Sequence, residues 1–242
     1  MQKKNLIVFD IDGTLTNSVE THQKAFTEML LEIGVAQISS EFKTFKHHTD
    51  SFIAKEIYKI DQKKSLSKSK IIEFENGLTR KISVEIINEI LGAKELIELL
   101  ETKTDFGVCY ATGSLRRPAE YKLKSIGIEF NKIQLVASDI INEREKIVEK
   151  AIEDVKKFYN VEKFDRIISV GDGLWDLLTA QNLGLEFIGI GLKNKELLIE
   201  KGAEVVYENL SEFEIKEKKT VGTIGYQQIA GIQVKSDLET NY

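Results

Sequence analysis

The sequence predicts an α/β protein, a Rossmann-like parallel sheet with helices on both faces and a helical insertion after its first strand. Three observations predict it. Short apolar runs at 5–10, 106–111 and 166–171 end at polar residues and have the character of strands buried on both faces. Segments with helical spacing separate the later runs, the alternation that builds a parallel sheet. Residues 17–90 show helical spacing with no strand pattern between.

The elements follow in order. Asn5 to Asp10 is the first strand, and the stretch to Thr16, with Gly13 inside it, is the loop at its carboxyl end. Val19, Phe26, Met29, Leu30 and Ile33 then recur at helical spacing, as do Phe52, Ile53, Ile57 and Tyr58 and the set from Ile71 to Ile87. These predict a small helical bundle, joined by a solvated Lys- and Ser-rich connection over 63–70. The expected division is a core over 1–16 and 91–242 and an inserted helical domain over 17–90. A helix over 93–101 leads into the strand 106–111, and the only proline, Pro118, suits the first turn of the next helix. A strand is expected over 133–137, a helix over 145–159, and a strand over 166–171 ending at Asp172. A helix over 176–183, a strand over 186–190 and a helix over 194–201 follow, with Val205 and Val206 as a short edge strand. The tail 218–242 is assigned no element.

Composition excludes some classes of function. A formal net charge of −5 argues against nucleic acid or an anionic membrane as the main partner. It leaves room for a small anionic substrate in a locally positive site. The single cysteine, Cys109, permits no intrachain disulfide, which fits a reducing compartment. The first apolar run is too short for a signal-peptide core, and no run approaches the roughly 20 residues of a membrane helix. A cytoplasmic protein is expected.

Ligands of open parallel sheets bind outside the carboxyl ends of the strands. The residues at those ends are Asp10, Asp12 and Thr14; Thr112, Gly113 and Ser114; Asp139, Arg144 and Lys146; and Asp172 and Asp176. Crowded carboxylates are costly unless a cation offsets them, and hard oxygen ligands near water and phosphate suit Mg²⁺. A carboxylate facing a phosphoryl group can act as nucleophile, and a second one two residues on can protonate the leaving oxygen. Thr112 and Gly113 offer donors for phosphoryl oxygens, and Arg144 or Lys146 offers positive charge. The side chains of Asp10, Asp12 and Asp172 are expected to gather at one edge of the sheet.

Asp10-Ile-Asp-Gly-Thr-Leu-Thr16 resembles the first signature of the haloacid dehalogenase-like hydrolase superfamily. Ala111-Thr-Gly-Ser114 resembles its second motif, and Gly171-Asp-Gly-Leu-Trp-Asp176 its fourth. The third, a lone Lys or Arg near a helix start, is met by Arg144 or Lys146, with Arg144 favoured. The resemblance covers roughly residues 5–210 and points to the branch with a type 1 helical cap, phosphoglycolate phosphatase-like, with 17–90 as the cap. It implies that Asp10 forms an aspartyl-phosphate, that Asp12 is the general acid/base and lends its main-chain carbonyl to Mg²⁺, and that Asp172 is a further ligand. It also implies that Asp176 supports the metal's waters or pairs with the third-motif cation, and that Thr112 and Gly113, with Ser114 beside them, hold the phosphoryl group. The cap supplies specificity in this superfamily, so Lys46-His-His-Thr-Asp50, with His47 and His48, is a candidate contact to the substrate.

The expected activity is therefore Mg²⁺-dependent hydrolysis of a small phosphate ester. The alternative is a sugar phosphomutase of the β-phosphoglucomutase type. A phosphonatase would need a cap lysine such as Lys24 or Lys46, and a dehalogenase would not need Asp12. A receiver-like signalling module would carry its phosphoacceptor on the third strand and lack a cap, and a non-catalytic binding protein would not need the acidic set. Cys109 and Trp175 are expected to pack, and His22 to lie at the surface or pack.

Overall fold

In the computed structural model, which describes residues 2–38, 45–139 and 141–215, the apolar run ahead of Asp10 forms β1 (Asn5–Phe9) within a six-stranded parallel sheet. Its neighbours are β2 (Phe106–Ala111) on one side and β4 (Arg166–Gly171) on the other. A two-residue β3 (Leu135–Val136) pairs with β2, while β5 (Glu186–Ile190) and β6 (Val206–Tyr207) extend the other edge. The order β3-β2-β1-β4-β5-β6 is the doubly wound arrangement that the alternating pattern predicts. The tail from 218 lies outside the described residues.

Successive strand residues face opposite sides, so each side of the sheet builds its own core. Ile7, Phe9, Val108 and Ile168 pack with Leu96, Ile97 and Leu100 of α4 (Ala93–Lys103) and with Ala119 and Leu123 of α5 (Arg116–Ser125). Leu6, Val8 and Cys109 pack with Ile147, Val148, Ala151 and Val155 of α6 (Arg144–Tyr159). Helix α7 (Leu174–Asn182) lies beside α6, and α8 (Lys195–Glu200) packs through Leu198 on Leu177 of α7.

Three boundaries differ from expectation for local reasons. The third strand is shortened because Asn131 caps a 3-10 turn at Lys132–Gln134, its side chain accepting from Ile133 N–H at 3.0 Å. Helix α5 begins at Arg116, so Pro118 is its third residue, still in the first turn where an N–H has no intrahelical partner. Helix α7 begins two residues ahead of Asp176, because the Asp176 side chain accepts the Gly173 N–H and caps that end.

Between β1 and α4 the chain forms α1 (Val19–Glu32), α2 (Asp50–Gln62) and α3 (Lys68–Ser83). Phe26, Met29, Leu30, Ile57, Tyr58, Phe74, Leu78 and Ile82 give these helices a core of their own, which Leu115 joins from the sheet domain. The two connections to this insert run side by side, with Asn17 N–H donating to Asn88 carbonyl and Ile90 N–H to Leu15 carbonyl. The insert is anchored over the strand ends. Asp50 N–H donates to Gly113 carbonyl at 2.8 Å, and the Thr49 hydroxyl donates to Asn142 carbonyl at 2.9 Å. Among the described residues no helix is long and apolar enough to cross a membrane.

Candidate active site

Phe9 is level with Val170, so Asp10 and the segment Gly171-Asp172 leave the sheet side by side. From β1 the chain crosses to β2 on one flank and from β4 to β5 on the other. That divergence is the switch point at which open sheets leave a crevice for ligands.

In this crevice Asp10, Asp172 and Asp176 each bring a carboxylate oxygen within 4.8 Å of the others. Arg144, the first residue of α6, reaches the same point. Its guanidinium lies 3.4 Å from Asp10 Oδ1 and donates to Asp176 Oδ1. Two glycines permit the crowding: a Cβ at Gly13 would collide with the Asp172 carboxylate, and one at Gly171 with Asp176. Gly13 also has φ +82°, a left-handed conformation that side chains disfavour.

Three carboxylates against one guanidinium leave about two negative charges uncompensated in a buried place. Burial, then the Asp176 charge, pushes the Asp10 carboxyl well above its ordinary range, although Arg144 opposes this. Burial and the Asp176 and Asp12 charges push Asp172 up to about 7. Burial raises Asp176 too, against the pull of Arg144. Burial disfavours charge on Arg144, but Asp176 and Asp10 outweigh that and hold it protonated. Clustered hard oxygen donors with two surplus negative charges fit a divalent cation such as Mg²⁺.

Asp12 differs from expectation. Its carboxylate does not join the other three but turns to Ser18 and Lys122, with Lys122 Nζ 2.6 Å from Oδ1 and 2.8 Å from Oδ2. Burial pushes its pKa up, but Lys122, through its charge and its hydrogen bond, more than offsets that and the value falls to about 2. The reason is local: Ser18, whose hydroxyl lies 2.6 Å from that of Thr16, donates to Asp12 from the same loop. The Asp12 carboxylate is therefore held apart from the cluster of Asp10, Asp172 and Asp176.

Lys146 also departs from its expected place. Its side chain is exposed and pairs with Glu143 at 2.7 Å, so the crevice receives Arg144 and not Lys146. Each residue step turns about 100° around the helix axis, so the two steps from Arg144 carry Lys146 to the solvent side. Asp139 also lies apart, 3.6 Å from Arg116.

Thr112 and Gly113 follow β2. The Thr112 hydroxyl accepts from Ser114 N–H at 3.1 Å, which leaves its own proton to donate. A Cβ at Gly113 would lie 2.6 Å from His48 carbonyl and 2.7 Å from the Arg144 guanidinium, so only glycine lets the insert and Arg144 approach together. Ser114 is buried, and its hydroxyl finds no partner among the described residues. His48 stacks on Trp175 with ring centroids 5.2 Å apart, closing the insert onto α7 beside the site. Burial and then Arg144 lower the His48 pKa, which favours the neutral ring. His47 packs edge-on against Phe52. Trp175 and Cys109 pack as expected, the latter fully buried in β2. His22 packs, as one of its two expected roles has it, stacking on Phe26 with ring centroids 6.3 Å apart, and it also bridges Lys122 and Asp50.

Lys122 and Ser18 were not foreseen, and Asp50, expected as part of the Lys46–Asp50 cluster, instead bonds His22 and the Leu115 N–H. A signal for Lys122 existed: it lies on the same helical stripe as Ala119 and Leu123, both fully buried.

A family profile described as haloacid dehalogenase-like hydrolase matches residues 7–190. Comparison with curated proteins gives no match. Among solved structures, a haloacid dehalogenase hydrolase of family IA, variant 3, from Entamoeba histolytica superposes with a TM-score of 0.67 at 22% identity, covering 87% of this chain and 96% of that one. CbbY from Rhodobacter sphaeroides, in complex with phosphate, gives 0.64 at 20% identity, over 86% and 95% of the two chains. A putative β-phosphoglucomutase from Bacteroides vulgatus gives 0.64 at 13% identity, over 86% and 85%. At these identities the likeness is one of fold.

Proposed function

The chain belongs to the haloacid dehalogenase-like hydrolases, and on that footing we propose that it is a Mg²⁺-dependent phosphatase of a small phosphate ester, with Asp10 as nucleophile. The observation that carries this reading is the gathering of Asp10, Asp172 and Asp176 around one point, with Arg144 as their sole cationic partner among the described residues.

Asp10, Asp172 and the Asp12 main-chain carbonyl would hold the cation, with Asp176 supporting its waters and orienting Arg144. Bound there, Mg²⁺ would neutralise phosphoryl charge and allow the anionic ester to approach Asp10. In the first half-reaction an Asp10 oxygen forms a bond to phosphorus as the bond to the leaving oxygen breaks. The proton on Asp12 passes to that oxygen. In the second, a water oxygen forms a bond to phosphorus, the Asp10–phosphorus bond breaks, and the water's proton goes to Asp12. Arg144, the Thr112 hydroxyl and the Gly113 N–H hold the phosphoryl oxygens. With its pKa at about 2, Asp12 stands as the carboxylate, the form the second half-reaction needs, and it must gain a proton before the first. The helices over 17–90 act as a cap, with His47 and His48 facing the part of the substrate beyond the phosphate.

The nearest rival is a sugar phosphomutase, in which the phosphoryl group returns to a sugar phosphate instead of water. The test is a panel of phosphorylated metabolites, sugar phosphates included, assayed for phosphate release with Mg²⁺, with EDTA, and with Asp10→Asn. Release by the Mg²⁺-loaded wild type alone is expected. No release from any member by the wild type would end the phosphatase reading, and isomerisation of a sugar phosphate without release would favour the mutase.

A further inference from the structure

Lys122 is fully buried on α5, a helix of the sheet domain, yet it carries a charge. A buried ion pair commonly contributes no more stability than apolar residues of the same volume, so a lysine here calls for a reason beyond folding. Its Nζ is held between two groups. On one side are both oxygens of Asp12, at 2.6 and 2.8 Å. On the other is His22 Nδ1 of α1, at 2.8 Å. An ammonium only donates, so His22 Nδ1 accepts, and the ring proton must sit on Nε2, which donates to Asp50 Oδ1 at 2.9 Å. The second oxygen of Asp50 accepts the Leu115 N–H at 2.9 Å, just ahead of the helix that carries Lys122. Lys122 is therefore fixed by groups from both the sheet domain and the insert. Asp12, by contrast, sits on a loop where Ser18 is its only other side-chain partner among the described residues.

We infer that Lys122 is a positioning residue that holds the Asp12 carboxyl group in the orientation from which it exchanges protons with the leaving oxygen and with water. The inference rests on the phosphatase reading. Lys122 touches neither Asp10, Asp172 nor Asp176, and it meets Asp12 through the carboxylate and not the main chain, so its removal breaks no contact of the nucleophile or of the groups that would hold the cation. What it removes is the aim of the proton donor, together with the positive charge beside it. A proton matters greatly when the leaving group is a strongly basic alkoxide and little when it is a stabilised aryloxide. A lysine that served only packing would slow both kinds of ester alike.

The experiment compares kcat/KM for p-nitrophenyl phosphate with that for an alkyl phosphate drawn from the panel on which the wild type is active. It uses Lys122→Met and His22→Leu, each checked by thermal melting. His22→Leu frees one side of Lys122 without touching Asp12, and it carries the test should Lys122→Met fail to fold. Positioning predicts that the aryl-to-alkyl ratio rises at least about tenfold in the folded variant, through kcat of the alkyl ester with KM little changed. A smaller rise, with both esters slowed alike, overturns the inference while leaving the phosphatase reading intact. A wild type inactive on the whole panel sinks that reading, and the inference falls with it.

Discussion

Lowering the pH should expel Mg²⁺ from the crevice, and the metal-free geometry sets the size of the effect. Asp172 holds its proton with a midpoint of about 7, because it is buried beside other carboxylates. A cation must displace that proton, so each pH step below the midpoint lowers the apparent affinity about tenfold. Between pH 8.5 and 5.5 Asp172 alone accounts for about a thirtyfold loss, and Asp10, also raised, steepens it. Stability follows the same protons. Between its ordinary value of 3.8 and about 7, the folded metal-free chain holds a proton at Asp172 that the unfolded chain has released. Stability from this group is therefore present at low pH and lost as pH rises through that window, by on the order of 4 kcal/mol at most. Saturating Mg²⁺ should restore it above pH 7. The assay is titration calorimetry in two buffers of different protonation enthalpy, with melting curves in parallel. About one proton or more should be released per ion bound at pH 6, and the Asp172 share of that release should be gone at pH 9. Equal affinities at pH 5.5 and 8.5 with no proton release would refute the reasoning.

Other expectations follow from single contacts. Arg144→Met leaves Asp10 and Asp176 buried without their cation and should destabilise the metal-free protein by about 3–5 kcal/mol in denaturant unfolding, with phosphate release abolished. Gly113→Ala drives a methyl group against the His48 carbonyl and should cost about 1–3 kcal/mol while raising KM, read by melting and steady-state kinetics. The Cys109 thiol is buried in β2 and its pKa is pushed up by that burial, so it should resist a thiol reagent in the native state and react fully in denaturant.

The sheet was legible because its strands are short apolar runs whose ends carry the chemistry. Placing Asp10 and Asp172 past two such runs was enough to bring them together once β1 and β4 paired. The helical character of the insert was legible from the spacing of residues such as Phe26, Met29 and Leu30, which now form its core. What the pattern could not carry was side-chain direction. Asp12 and Asp10 lie two residues apart, but a tight loop separates them and Ser18 turns Asp12 toward α5. Arg144 and Lys146 read alike as cations near a helix start, and only the rotation of α6 tells them apart. Lys122 was hidden because lysine on a helix ordinarily marks the solvated face, and its partners lie 110 and 100 residues away in sequence.

The claim that Asp10 is the nucleophile has a direct test. The wild-type protein is mixed with substrate and Mg²⁺, quenched in acid within a turnover, and reduced with borohydride, which converts an acyl phosphate to an alcohol. Peptide masses then locate the reduced residue. The reduction should fall on position 10 and vanish in Asp10→Asn. Phosphate release with the reduced residue at any other position, or with none at all, would contradict the account.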